Sequence, residues 1–355
     1  MPPKYMVIAS QLQAEIQAGL YRHNQMLPTE REMMERFSVS RQTVRQALNV
    51  LVQDGIIKKR QGSGSHILNP HSVKKSKSVA VITTYIDDYI FPDILRDVES
   101  VLTRHNYATY IASSENMVGR ERNVLLDVLN RQVDGLLIEG AKTALPTPNM
   151  DLFQRLQERG IPIVFIHGCP PGIQNPILVA DDNQGGGYHL TRYLIEKGHR
   201  KIGGIFKSDD IQGQQRYYGY ACALRDHNIP MPDGCTLWYS TELRDLMLMG
   251  DETMLTFYID CLLKGCTAVV CYNDEVAYRL VSIMRKKGLR VPEDLAVASF
   301  DNSHFSELSP VRITSLAHGS KNLGRTAAER LIDLMNGRPA EGESVPWVLV
   351  EKEST

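Results

Sequence analysis

The sequence is poor in the patterns that announce chemistry. Its six cysteines, at 169, 222, 235, 261, 266 and 271, include no CxxC pair, and their spacing suits neither a zinc knuckle nor a zinc ribbon. They read as plain thiols packed as small hydrophobes, with no metal site. Long apolar runs are missing too: residues 79–82 and 268–271 fall far short of the roughly 18 needed to span a bilayer. The first residues, MPPKYMVIASQLQAEIQ, carry Glu15 inside an amphipathic pattern and lack the continuous apolar stretch of a secretion signal. The expectation is a cytoplasmic protein with no membrane contact. There is no GxxxxGK(S/T), no GxGxxG opening a helix, no GxSxG and no HExxH. With no nucleophile beside an evident base, neither enzyme nor cofactor is expected. Asp181-Asp182-Asn183 followed by Gly185-Gly186-Gly187 could suggest metal or phosphate, but the glycines read more simply as the start of a helix packed closely on its sheet.

What the sequence does contain is enough for two or three compact units: 355 residues with 43% hydrophobic and 23% charged, ordinary globular usage. The net charge of -1 conceals an asymmetry. Residues 1–78 hold twelve Lys/Arg against five Asp/Glu, a surplus of +7, and the rest holds twenty-eight against thirty-six, or -8. A basic segment of that size favours a polyanionic partner, through counterion release.

Within that segment, Ile8, Leu12 and Ile16 line one face of a first helix ending at Gly19. Thr29 and Glu32 have the capping-box spacing at the start of a second helix, closed by Phe37. Ser40 can cap a third, where Val44, Ala47, Leu48 and Leu51 form one apolar stripe. At 100° per residue, Gln42, Arg45, Gln46 and Asn49 then project to the far side with Arg41 at its edge, a donor-rich face without a carboxylate. Arginine forks fit guanine O6/N7 and Gln or Asn fits adenine N6/N7 in a major groove, so Arg41, Gln42 and Arg45 are the leading candidates for base contact. Residues 55–60 and 65–68 read as two strands around the turn Gln61-Gly62-Ser63-Gly64. In this basic hairpin Lys58, Lys59 and Arg60 can neutralise phosphates, and the tip glycines let Gln61 approach a minor groove.

The runs KYMVIASQLQAEIQAG and LPTEREMMERFSVSRQTVRQALNVLVQDGIIKKRQGSGSHI resemble the GntR-type winged helix-turn-helix. The resemblance implies that Lys4, Thr29, Glu30, Arg31, Arg41, Thr43, Arg45, Gln61 and Gly62 contact or position DNA. Ser65 and His66 depart from that family's usual wing sequence.

Residues 69–78, NPHSVKKSKS, read as a polar, basic tether. Beyond it, apolar β-rich runs alternate with helical stretches: 79–85, 107–112, 133–139 and 161–166, then 201–206, 267–272 and 295–300. Such runs imply parallel sheets covered on both faces, and two sets imply two lobes. Ligands of doubly wound sheets sit beyond the carboxyl ends of the strands, which singles out Tyr85, Tyr89, Phe91, Glu139, His167, Asn273 and Asp301. Rings to cover C–H faces beside groups that hydrogen-bond hydroxyls suit a sugar. Each residue also has a plainer use: Asn273 or Asp274 can cap a helix, Phe91 can be core and His167 a satisfied loop residue.

The runs VADDNQGGGYHLTRYLIEKGHRKIGGIF, AVVCYNDEVAYRLVSIMRKKGLRVPEDLAVASFDN and ITSLAHGSKNLGRTAAERLIDLMNG resemble the LacI/GalR effector domain, whose fold is that of type I periplasmic binding proteins. By position in those motifs, the resemblance implies effector contacts from Arg216, Asn273, Asp301 and His318. His318 stands where that family often has Gln, and Lys352 near a frequent Arg. A GntR-type head on a LacI-type body is similar to the AraR-type arabinose-responsive repressors of Gram-positive bacteria, which implies L-arabinose as effector and operators at arabinose-utilisation genes.

The expected architecture is therefore α/β: a winged helix-turn-helix over residues 1–68, a linker over 69–78 and a two-lobed, doubly wound effector and dimerisation domain over 79–355. The expected protein is a homodimeric repressor of operator double-stranded DNA, since one head reads only a half-site and twofold symmetry matches a palindrome. Two alternatives stay open. One is a different or phosphorylated sugar, which Arg216 and Lys207 would suit; the other is a carbohydrate-binding protein whose basic head docks elsewhere than DNA.

Overall fold

The computed structural model describes residues 3–17, 20–21, 25–60, 64–67, 76–87, 89–231, 233–318 and 322–355. The chain divides into two units, Met1–Ser76 and Lys77–Thr355. Of the expectations above, the helix stop at Gly19, the wing tip with Gln61 and Gly62, and residues 69–75 of the tether lie outside the described residues.

The first unit contains α1 (Lys4–Gln17), α2 (Glu30–Phe37), α3 (Arg41–Gln53) and the antiparallel pair β1 (Ile57–Arg60) and β2 (Gly64–Ile67). Local chemistry sets its boundaries. Thr29 and Glu32 form the reciprocal capping box that starts α2, and Ser38, in left-handed backbone at φ 49°, ends it. The Ser40 hydroxyl accepts from Thr43 N at 3.2 Å to start α3. Ile8, Leu12, Ile16, Met33, Val44, Ala47, Leu48, Leu51, Ile57 and Ile67 share one core. The hairpin is shorter than its sequence suggested: Gly55 turns at φ 68°, β1 begins only at Ile57, and Gly64 pairs with Arg60 as part of the return strand.

The second unit has two lobes, each a six-stranded sheet between helices. The first lobe is built from β3 (Ser78–Thr83), α4 (Phe91–Arg104), β4 (Ala108–Ser113), α5 (Val118–Asn130), β5 (Gly135–Ile138), α6 (Met150–Glu158), β6 (Ile163–Ile166) and β7 (Ile177–Asp181). The chain then enters the second lobe through α7 (Asn183–Glu196), β8 (Ile202–Lys207), α8 (Ile211–Asp226), β9 (Thr236–Tyr239), α9 (Thr241–Leu248), α10 (Thr253–Phe257), β10 (Ala268–Cys271), α11 (Asp274–Lys286), β11 (Ala296–Phe300), α12 (His304–Leu308) and β12 (Thr314–His318). It returns to the first lobe with α13 (Leu323–Met335) and β13 (Glu343–Val345), and ends in the second with β14 (Trp347–Val350). The sheet orders are β13-β7-β6-β5-β3-β4 and β14-β12-β11-β10-β8-β9.

Period-two burial explains the layers. Val79 and Val81 face α4 and α13, while Ala80 and Ile82 face α5 and α6; Val269 and Cys271 face α11, while Ala268 and Val270 face α7 and α8. Two corrections and one addition follow. Ser78, counted to the tether, is the first residue of β3. The sheets are parallel except at one edge, where β14 runs antiparallel to β12. Gly185-Gly186-Gly187 open a helix packed closely on its sheet, as read, since a Cβ on Gly186 would lie 2.6 Å from Trp347 of β14 and 3.0 Å from Phe300 of β11; the packing is as close against a second helix, where a Cβ on Gly187 would lie 2.1 Å from the Arg216 carbonyl of α8 and one on Gly219 2.0 Å from that of Gln184.

All six cysteines are free thiols; Cys271 is buried in β10 as expected, whereas Cys261 is exposed. Among the described residues, no helix is long and apolar enough to cross a membrane.

Candidate functional site

In the first unit, burial of Val44, Ala47, Leu48 and Leu51 turns Arg41, Gln42, Arg45, Gln46 and Asn49 outward from α3. The face is not free of carboxylates, as its own sequence suggests. Glu30, at the start of α2, accepts from Arg41 Nε at 2.8 Å and Arg45 Nε at 3.1 Å. The Arg41 bond is the main reason the Glu30 carboxyl sits below its ordinary range. Arg31 points outward and pairs with Glu35, Lys4 lies exposed on the first turn of α1, and Thr43 touches the Ser40 hydroxyl. Lys58, Lys59 and Arg60 are exposed along β1, with Lys59 Nζ donating to Asn49 at 2.7 Å. The result is an exposed row of cations and amides with one replaceable counter-charge.

In the second unit, strand ends from both lobes open on one cleft of about 610 Å³ counting its mouth. The first lobe contributes Tyr85, Tyr89, Ile90 and Phe91 after β3, Glu139 after β5, His167 after β6 and Asp181 at the end of β7. Glu139 is fully engaged: Oε1 faces His167 Nδ1 at 2.9 Å and Oε2 accepts from Thr84 N at 3.0 Å. Burial alone would raise the Glu139 carboxyl and lower the His167 imidazole. Their mutual attraction outweighs it, so Glu139 lies below and His167 above the usual values.

The second lobe supplies Lys207, Asp210, Gln212, Arg216, Tyr239, Arg244, Tyr272, Asn273 and Asp301. Arg216 lies in a bed of rings, its guanidinium carbon 4.3 Å from the centre of Phe300 and 4.8 Å from that of Tyr272. It donates to Asn183 Oδ1 at 2.9 Å, to the Tyr272 carbonyl and to Asp301 Oδ1 at 3.3 Å. Lys207 donates to Asp210 at 2.6 Å, and Arg244 to Glu275 at 3.0 Å. Asn273 Oδ1 caps α11 by accepting from Val276 N at 3.1 Å, so the capping use is real, yet the residue also lines the cleft. Its neighbour Asp274 turns away, accepting from Ser315 Oγ and Ser303 N, and burial followed by the nearby Asp301 pushes its carboxyl up to about 7.

The lobes touch at the cleft's edges. Tyr89 Oη donates to Asp301 Oδ2 at 2.7 Å, and Asn116 Nδ2 donates to Asp210 at 2.9 Å and to Thr241 at 2.7 Å. Lys142 reaches Asp209 and Glu242. Tyr89, His167 and Asp301 all hold left-handed backbone, at φ 63°, 58° and 89°. Non-glycine residues keep such angles only where their surroundings over-determine them, commonly at ligand sites.

Eight of the nine residues singled out for the body, Tyr85, Tyr89, Phe91, Glu139, His167, Arg216, Asn273 and Asp301, therefore line one cleft. His318 does not. It stands behind the wall, its Nδ1 2.9 Å from Asp181 Oδ1 and its ring over Trp347, beside the passages between lobes. Sequence reasoning missed Tyr239 and Arg244 because it missed β9. It missed Tyr272 by counting that residue inside the strand. Gln212 lies on the first turn of α8, where no strand-end rule reaches.

Two families match the chain: bacterial regulatory proteins of the gntR family over residues 4–67, and a periplasmic binding protein-like domain over residues 191–355. Together with the geometry they define a transcription regulator with a DNA-binding head and an effector domain. The arabinose metabolism transcriptional repressor of Halalkalibacterium halodurans is 34% identical over 97% of this chain and 93% of that protein. The protein of the same name from Geobacillus stearothermophilus is 36% identical over 96% and 93%. Among solved structures, transcription regulator CcpA of Lactococcus lactis matches with a TM-score of 0.67 at 27% identity, over 78% of this chain and 98% of that one. This chain belongs to the family of arabinose metabolism transcriptional repressors.

Proposed function

We propose that this chain is a cytoplasmic, homodimeric repressor that holds operator DNA through Arg41, Gln42, Arg45 and their neighbours, and that a neutral sugar, L-arabinose first among candidates, releases it by filling the cleft. The reading assigns no catalysis. One observation carries the choice of ligand. Each cation lining the cleft already faces a carboxylate, Lys207 with Asp210, Arg216 with Asp301 and Arg244 with Glu275. Meanwhile Tyr85 Oη, His167 Nε2 and Gln212 Oε1 are buried without a partner among the described residues. A phosphorylated sugar would need a cation to spare; a neutral polyol needs hydroxyl partners and ring faces, which the cleft offers. The exposed donors of α3 weigh against a carbohydrate binder without DNA contact.

Release is a population shift. A sugar bridging both lobes favours the closed body, and a typical coupling of roughly 1–3 kcal/mol changes operator affinity about 5 to 150-fold. Calorimetry of the full chain against L-arabinose, other pentoses, hexoses and a sugar phosphate tests this, beside mobility shifts on DNA from upstream of sugar-utilisation genes. The expected result is L-arabinose binding and loss of the shifted band. Tighter binding of the phosphorylated sugar, or an operator complex indifferent to every sugar bound, would overturn the reading.

A further inference from the structure

We propose that His167, clamped by Glu139, is a hydrogen-bond donor from the first lobe to a sugar hydroxyl, and that this bond makes sugar affinity fall as pH rises. The inference rests on the reading of the cleft as a sugar site. It starts from an unmet hydrogen bond: His167 Nε2 is buried, belongs to a cleft-lining residue and has no partner among the described residues. The other ring nitrogen is committed, at 2.9 Å from Glu139 Oε1. Glu139 is committed in turn, since its second oxygen accepts from the Thr84 amide and hydroxyl. The carboxylate thus addresses the ring, and the ring addresses the cleft. Phe91 packs edge-on against the imidazole at 6.1 Å, and the left-handed backbone at His167 fixes its direction further.

The charges around the ring decide its state. Glu139, Asp181 and Asp301 favour the imidazolium. His318 and Arg216 carry opposing charge but are paired with Asp181 and Asp301 respectively. The carboxylates outweigh burial, so the ring holds its proton above the ordinary histidine range. Because Nδ1 donates to Glu139, Nε2 carries a proton only in the imidazolium, where it is a charge-assisted donor; after deprotonation it can only accept. The sign follows. Affinity is fully present below the pKa of the sugar-free protein and is lost as pH rises through the higher pKa of the complex.

The test is calorimetric titration of L-arabinose into the full chain between about pH 6 and about pH 9. Exchanging a charge-assisted for a neutral hydrogen bond predicts a Kd about tenfold weaker at the alkaline end. His167→Gln keeps a neutral donor on a similar reach and is expected to bind with a flat profile. Glu139→Gln removes the charge that holds the proton, so the fall in affinity moves to lower pH, which a merely structural role for Glu139 would not produce. A flat wild-type profile, or a His167→Gln protein that keeps the wild-type slope, overturns the inference and leaves the sugar reading standing. No binding of any sugar at any pH by protein that still melts cooperatively overturns both.

Discussion

Arginine does opposite work in the two units. In the head, the side chains of Arg41 and Arg45 are 65% and 57% exposed and share one partly exposed carboxylate, Glu30. Ion pairs so placed contribute little to stability and give way easily to a phosphate or a base. In the body, Arg216 is 5% exposed, as is Asp301, and three acceptors and three ring faces hold it. A cation there cannot leave without stranding a buried carboxylate. The comparison teaches that the head keeps its charge available, for a polyanion, while the body pairs each of its cleft cations with a carboxylate and leaves hydrogen-bonding capacity, not unbalanced charge, for a ligand.

The contrast breaks most visibly at Arg216. Arg216→Met takes the counter-charge from buried Asp301, leaving it the Tyr89 hydroxyl, and takes the donor from Asn183 Oδ1, and the expected cost is about 3–5 kcal/mol of stability together with loss of sugar heat. Thermal melting of the full chain, with calorimetry alongside, checks it; an unshifted Tm would put this arginine on a level with those of the head. Arg45→Ala should instead leave melting unmoved and cost about 1–3 kcal/mol in operator binding, with relaxed preference at one base pair. Mobility shifts on single-substitution operators read this, and an unaltered preference would remove Arg45 from base contact. The smallest effect sharpens the head alone. Ser40→Ala deletes the cap of α3 and should cost about 1 kcal/mol, seen as faster amide exchange in α3 with the second unit unchanged.

Much of this was legible before any coordinates. The caps of α2 and α3 are local, written in Thr29, Glu32 and Ser40, and period-3.6 burial of Val44 to Leu51 fixed which side of α3 faces outward. The body's central strands were legible as apolar runs, and the residues after them converged on one cleft because parallel strands all end on the same side. Legibility failed at β7, β9, β12, β13 and β14, each an edge strand of its sheet or the neighbour of one. β9, with Trp238 exposed, and β14, with Val348 and Leu349 exposed, are sheet edges whose pairing, antiparallel to β12 for β14, no local pattern shows. It failed also where partners are distant in sequence: Glu30 against Arg45 lies 15 residues away, and Tyr89 against Asp301 lies 212.

The order of residues by itself determined the two-part organisation, the outward row of donors on α3 and the set of strand-end side chains, since periodicity, capping and strand direction are short-range properties. Only the tertiary structure decided that Glu30 restrains the head's arginines, that His318 stands behind the wall, and that every cleft cation is already paired. Those depend on which groups meet across elements, and charge pairing within a few ångströms is invisible to spacing along the chain.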